Sequence, residues 1–389
     1  MNPDRSLLTL LSRRWLICLL GLIPASASFA TPPPLQTQNV FLITTDGLRP
    51  SELFTGADPT LLNVETGGFK NEKAVAQTRA AYWRETPEAR REALMPFFWS
   101  VVAKQGQVFG NQAKGSSSQV TNGKKFSYAG YNEMLTGWTD PAIMNNDPIP
   151  NPNVTVFEWL NAKPAFKDRV AVFSAWSIIP FIVNRERCHF PIMGGWEPLP
   201  EKPRNGKEEL LNALIAECTR TGHPTEVFDP FLYYAAVEHM LARKPRVMMF
   251  SFLETDYWGH QGRYDWLLDS AHRFDDYLRR LWELAQSMPE YAGKTTFIIT
   301  TDHGRGSGPD GWKRHGVGVE GAEHIWMAYL GPDTAPLGER THCAPVVQAQ
   351  TAATLAAFLG ENYPAEVPKA APPIAEVLGL DIKATTTSQ

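Results

Sequence analysis

Three aspartates in this chain each follow an apolar, β-branched run. Asp46 closes NVFLITT, Asp256 comes three residues after RVMMFSFL, and Asp302 closes TFIITT. Strands of an open parallel sheet deliver the residues at their carboxyl ends to one crevice. Three carboxylates gathered there repel one another unless positive charge lies between them, and a metal ion is the economical source. Histidines accompany them. Asp256-Tyr-Trp-Gly-His260 sets a carboxylate and an imidazole four residues apart, on one face if the segment is helical. His303 adjoins Asp302, and His324 stands just before the apolar run IWMAYL. Oxygen and imidazole donors without thiolates suit zinc, and manganese or iron less well. Six or seven such ligands are more than one tetrahedral zinc can use, so the pattern predicts two divalent ions. Each piece alone is ordinary: a strand-end Asp commonly caps a helix, and Asp-x-x-x-His commonly lies on a solvated face. Their joint order carries the chemistry.

The elements that must position these residues alternate along the chain. Strands are expected at Asn39–Thr45, Arg169–Ala175, Arg246–Leu253, Thr295–Thr301 and Ile325–Leu330. Helices are expected at Pro87–Lys104, Val154–Asn161, Lys207–Thr219, Glu226–Ala242, Tyr264–Ser287 and Val346–Leu359. Apolar strands alternating with helices predict an α/β fold whose mostly parallel sheet is covered on both faces. Residues 31–389 read as one domain, with 176–224, rich in proline and holding two cysteines, as an insertion that shapes specificity.

The first thirty residues read differently. Arg5, Arg13 and Arg14 precede the apolar run Trp15–Ile23, and Ser28-Phe29-Ala30 ends a stretch of small residues. Charge, apolar core and small-residue cleavage site in that order make a signal peptide. The expected product is exported, periplasmic in a Gram-negative cell, with no further segment of membrane-spanning length. Ser12-Arg13-Arg14 is also a partial twin-arginine signal. Cleavage leaves Cys188, Cys218 and Cys343, of which Cys188 and Cys218 are placed to pair. The 389 residues carry 37 Lys and Arg against 41 Asp and Glu, a net charge of -4 with no basic run, which excludes a nucleic-acid partner.

The segments NVFLITTDGLRP, FSYAGYNEMLTG, ETDYWGH, and TDHG followed by AEHIWMAYLGP span Asn39 to Pro332. In order and flanks they resemble the alkaline phosphatase superfamily, closest to its type I phosphodiesterase and nucleotide pyrophosphatase branch. The resemblance implies an alkaline-phosphatase-like three-layer sandwich and a two-metal site. One ion would be held by Asp256, His260 and His324, with His315 the rival for the last place; His324 is preferred because it directly precedes a strand. The second ion would be held by Asp46, Asp302, His303 and the nucleophile Ser127. A hydroxyl at a helix start faces free N–H groups and the positive end of the dipole, which suits a phosphate. The alternative role for Ser127 is that of a plain helix cap. Asn145 and Asn146 are candidates for binding substrate phosphate, and Lys124 and Lys125 read as solvated loop residues. The chain departs from the branch in carrying Ser for its usual Thr, and Gly130-Tyr131 for its Asn-His. None of the chain's cysteines lies in the C/S-x-P-x-R context of formylglycine sulfatases. The expected activity is hydrolysis of a small-molecule phosphate ester through a phosphoseryl intermediate. The rival readings are a phosphoryl transferase or mutase on the same site, and a non-catalytic metal-binding protein of the same fold.

Overall fold

Every residue of Asn39–Thr45 (β1) is buried, as a strand covered on both faces must be. A computed structural model describes residues 34–220 and 224–379; the expected signal peptide lies outside them. The remaining strands are β2 (Gln107–Phe109), β3 (Ser118–Gln119), β4 (Val170–Ser174), β5 (Ile192–Gly194), β6 (Val247–Phe252), β7 (Thr295–Thr300), β8 (Met327–Leu330), β9 (Gly338–Glu339) and β10 (Val346–Val347). Eight of them form one sheet in the order β5-β4-β6-β1-β7-β8-β2-β9, and β10 pairs with β3 apart from it. Only β8 runs against its neighbours β7 and β2; all other pairs in the sheet are parallel. Helices flank this sheet, and the architecture is the α/β sandwich expected.

Register explains why the acidic residues meet. Thr44 of β1 is level with Ser251 of β6 and with Thr300 of β7. Asp46 and Asp302 each lie two residues beyond these partners, so they leave the sheet at one edge and one height. β6 continues past that edge into the helix Glu254–His260, which carries Asp256 and His260. A reciprocal clamp fixes that turn. The Asp229 carboxylate accepts the N–H of Leu253 at 2.8 Å and of Glu254 at 3.3 Å, while Glu254 accepts the N–H of Asp229 at 3.0 Å. Arg273 and the Ser270 hydroxyl hold the other Glu254 oxygen at 2.7 and 3.0 Å.

Several expected elements are shorter. Pro87–Lys104 is not one helix: it stops at Leu94, and a π turn covers Phe98–Val102. Pro96 has no N–H to continue the ladder, and Asp275 caps the restart by accepting from Phe97 and Phe98 at 2.8 and 2.7 Å. Val346–Leu359 divides into β10 and the helix Gln350–Phe358. The amphipathic helix Tyr264–Ser287 runs over the expected residues. Within residues 176–224, edge strand β5 is not among the expected strands, while the helix Gly206–Glu217 lies close to the one expected at Lys207–Thr219. The Cys188–Cys218 bridge is not formed; both are free thiols, and burial pushes the Cys188 thiol up to about 12. Among the described residues no helix is long and apolar enough to cross a membrane.

Candidate active site

Asp46, Asp302 and His303 converge in the buried crevice beyond β1 and β7. Nε2 of His303 lies 3.3 Å from Asp46 Oδ1, 3.6 Å from Asp302 Oδ2 and 3.2 Å from Ser127 Oγ. The other ring nitrogen, Nδ1, donates to the Gly304 carbonyl at 2.9 Å. A carbonyl only accepts, so Nδ1 carries the proton and Nε2 turns a lone pair into the crevice. Burial, ahead of the neighbouring charges, pushes His303 down to about 4 and keeps it neutral. Burial also drives the Asp46 carboxyl well above its ordinary range, with Asp302 adding repulsion. Asp302 is pushed up to about 7, by burial and then by the Asp256 charge.

Asp46 Oδ1 and Asp302 Oδ2 are buried without any hydrogen-bond partner. They face His303 Nε2, whose one donor is the Ser127 hydroxyl, so two buried carboxylate oxygens are left with no donor, an arrangement that is costly unless a cation occupies it. The spacing suits one. Ligands about 2.0–2.2 Å from a tetrahedral zinc sit about 3.3–3.6 Å apart, as His303 Nε2 does from each carboxylate. The residues present therefore fit a divalent ion.

The second group lies on the helix Glu254–His260 and the glycine-rich loop after β7. Asp256 Oδ2 is 3.3 Å from His260 Nε2, one helical turn on. The third member is His315 and not His324: His315 Nε2 lies 2.8 Å from His260 Nε2 and 3.7 Å from Asp256 Oδ1. Its Nδ1 donates to the Lys125 carbonyl at 3.0 Å, so its Nε2 also presents a lone pair. Burial first, then His303 beside it, pushes His315 down to about 3. The rings of His303 and His315 stack, with centroids 3.9 Å apart, and join the two groups. His324 instead turns to Gln112, 2.7 Å from its Nδ1, because its backbone bridges to Gln119 and aims the ring away.

Ser127 is the first residue of the helix Ser127–Thr136; Phe126 holds the cap position and no side chain caps it. The hydroxyl is thus free of the capping role and bonds His303. Asn146 stands beside the start of the Ser127 helix: its Oδ1 accepts the Tyr128 N–H at 2.9 Å, occupying one of the helix-start donors expected to face phosphate. Asn145 bonds Asp147 at 2.6 Å on the surface. Lys125 is tied to Glu323 at 2.7 Å, and it serves the site through the carbonyl that orients His315. Glu133, on the helix of Ser127, braces the loop before it by accepting from Thr121 and Asn122.

The departures at Gly130 and Tyr131 have physical reasons. A Cβ at Gly130 would overlap the Asp302 carbonyl oxygen, so only glycine lets the two backbones touch. The buried Tyr131 hydroxyl bonds Thr44 at 3.0 Å and Ser251 at 2.9 Å, linking the helix to the sheet beneath. Arg305, two residues after His303, has no expected role in the sequence. Its buried guanidinium pairs with Asp256 and, against the pull of burial, helps hold that carboxyl well below its usual range.

Residues 64–321 match the model of the type I phosphodiesterase / nucleotide pyrophosphatase family. Asp46 precedes this stretch and His324 follows it, whereas His315 lies inside. No curated protein matches the chain in sequence. Among solved structures, phosphonate monoester hydrolase SpPMH from Silicibacter pomeroyi is similar with a TM-score of 0.57 at 11% identity, over 90% of this chain and 78% of that one. A variant of the alkaline phosphatase PafA matches with a TM-score of 0.51 at 10% identity, over 90% of this chain and 100% of the other. A 2-O GAG sulfatase gives a TM-score of 0.52 at 13% identity, over 89% of this chain and 75% of the other. These likenesses share the sandwich fold, and the matched family stretch holds Ser127, Asp256, His260, Asp302, His303 and His315. The chain belongs to the type I phosphodiesterase / nucleotide pyrophosphatase family and is a hydrolase of the alkaline phosphatase superfamily.

Proposed function

We propose that the chain is an exported phosphoester hydrolase with two divalent ions, zinc by donor chemistry, acting through Ser127. The observation that carries this reading is the pair of orphaned oxygens on Asp46 and Asp302 beside the lone pair of His303 and the hydroxyl of Ser127. Asp46, Asp302, His303 and Ser127 would hold one ion, and Asp256, His260 and His315 the other. Bound ions lower the pKa of a serine hydroxyl and neutralise charge on attacking and leaving oxygens.

Ser127 Oγ attacks phosphorus, and the proton it gives up passes through solvent water to the ester oxygen that leaves. The ester P–O bond breaks opposite the new O–P bond, and the alcohol departs. Water then attacks the phosphoseryl ester and returns Oγ to the hydroxyl state. Glu133 and Tyr131 hold the helix of Ser127 in place throughout, and Gly130 keeps it against the Asp302–His303 turn.

The test compares kcat/KM for p-nitrophenyl phosphate and bis-p-nitrophenyl phosphate, with zinc and after chelation. Turnover abolished by chelation and restored by zinc is expected, and the ratio of the two substrates separates monoesterase from diesterase. Ser127→Ala should bind zinc with turnover reduced roughly a thousandfold or more. Near-normal turnover in that variant removes Ser127 from the role. New phosphoesters formed in the presence of glycerol would favour the transferase reading.

A further inference from the structure

Arg305 carries an interaction pattern that the reaction above does not use. Its side chain is wholly buried and donates in three directions. Nε donates to the Trp312 carbonyl at 2.8 Å, Nη2 to the Lys313 carbonyl at 2.6 Å, and Nη1 to Asp256 Oδ1. Those partners lie on the two segments that hold the second group of candidate ligands. Trp312 and Lys313 lead directly into His315, and Asp256 belongs to the helix that carries His260. Arg305 itself follows Asp302 and His303 on the strand-end turn. One guanidinium therefore joins the strand-end turn of Asp302 and His303 to both segments of the second group.

Two glycines make room for it. A Cβ at Gly259 would lie 2.8 Å from Arg305 Cζ. One at Gly47 would lie 2.7 Å from Asp256 Oδ1 and 3.1 Å from Arg305 Nη1. The Asp256–His260 segment thus has glycine just where the guanidinium passes beneath it. Arg49 extends the bracket by donating to the Gly306 carbonyl at 3.1 Å. A planar fork spreads its donors over three nitrogens and reaches two carbonyls and a carboxylate on separate segments; a lysine ammonium, with all its donors on one atom, does not reproduce that geometry.

Resting on the two-ion reading above, we propose that Arg305 is a positioning residue: it locks the loop of His315 to the helix of Asp256 and His260, and so creates the second ion site. The competing account makes Arg305 a counter-charge alone. The two accounts differ in sign. A lone positive charge beside a cation site weakens binding, so its removal would tighten the site. Loss of a bracket loosens the ligands and weakens it.

The experiment titrates Zn²⁺ calorimetrically into chelator-treated, dialysed protein, as wild type, Arg305→Lys, Arg305→Ala and Gly259→Ala. Binding at Asp46, Asp302 and His303 serves as the internal report of folding. The expected result is two ions in wild type, with the second weakened roughly 10- to 100-fold in both Arg305 variants. Gly259→Ala, which crowds the guanidinium while leaving every charge in place, should weaken the same ion in the same direction. Tighter second-site binding in Arg305→Ala, or wild-type binding in Arg305→Lys, overturns the bracket. A variant that also loses the first ion shows a general packing role and overturns it too. Wild type that binds no second ion defeats the two-ion reading on which the proposal rests.

Discussion

The two halves of the site are built from the same residue types but are satisfied differently. Around Asp46, Asp302 and His303 the Gly47 N–H and the Ser127 hydroxyl serve Asp302 Oδ1 and His303 Nε2, and two buried carboxylate oxygens have no partner. Around Asp256, His260 and His315 the groups satisfy one another. His315 Nδ1 is committed to the Lys125 carbonyl, so His260 Nε2 donates to His315 Nε2, and Arg305 neutralises Asp256. Exposure follows the same division: the side chains of Asp302 and His303 have none, while that of His260 is 45% exposed. The first half is held open against its own repulsion by the register of β1 and β7. The second can close on itself and must be opened for an ion. Two carboxylates and one histidine thus leave oxygens unpartnered, whereas one carboxylate and two histidines, with Arg305, satisfy one another.

The largest expected effect comes from removing a ligand in each half. Asp302→Ala should lose one zinc and reduce kcat/KM roughly a thousandfold or more, because Ser127 and the buried ion act as one unit. His260→Ala should lose or loosen the other zinc with a smaller fall, roughly 10- to 100-fold. Elemental analysis beside the kinetics checks both, and equal losses would break the comparison. Next in size is the order of metal release. Graded chelation, followed with a colorimetric zinc indicator, should proceed in two phases, with affinities on the order of tenfold or more apart, about 1.4 kcal/mol. His260→Ala should abolish the easily released phase. A single phase in the wild type would make the halves equivalent.

The smallest effect isolates burial from metal binding. Asp275 is buried as Asp302 is, but both its oxygens accept N–H groups, from Phe97 and Phe98. Burial pushes its carboxyl up to about 7. A carboxyl with a raised folded-state pKa gives stability that is complete below about pH 4 and is lost as the pH rises to about 7. Asp275→Asn should flatten the fall in Tm across that window, with or without zinc. A change in slope that depends on zinc would remove Asp275 as a reference for burial alone.

The parts of this arrangement legible in the sequence are those with a periodic or positional signature. β1 and the helix Tyr264–Ser287 match their expected residues, since one is an unbroken apolar run and the other a long amphipathic one. Asp46, Asp256, His260, Asp302 and His303 come together because strand register puts them at one edge. His315 was the less favoured of two histidines nine residues apart, in a segment whose glycines Gly316, Gly318 and Gly321 all take positive φ. Such turns have no periodicity to read, and closeness to a strand favoured His324. Arg305 left a fainter trace: it is the cation nearest in sequence to Asp302 and His303, where three carboxylates need compensation. The Pro96 break was readable from the missing N–H, but the apolar periodicity on both sides concealed it.

The contact of Gly130 with the Asp302 backbone restricts how this protein can diverge. Any side chain there would push the helix of Ser127 off the turn that holds the candidate ligands, so the position is closed to variation that preserves the site. A polar residue for gripping substrate cannot be introduced at Gly130 by a single substitution. New selectivity must arise in surrounding loops such as residues 138–153, leaving the spacing between Ser127 and His303 an inherited constant on which different substrate preferences can be built.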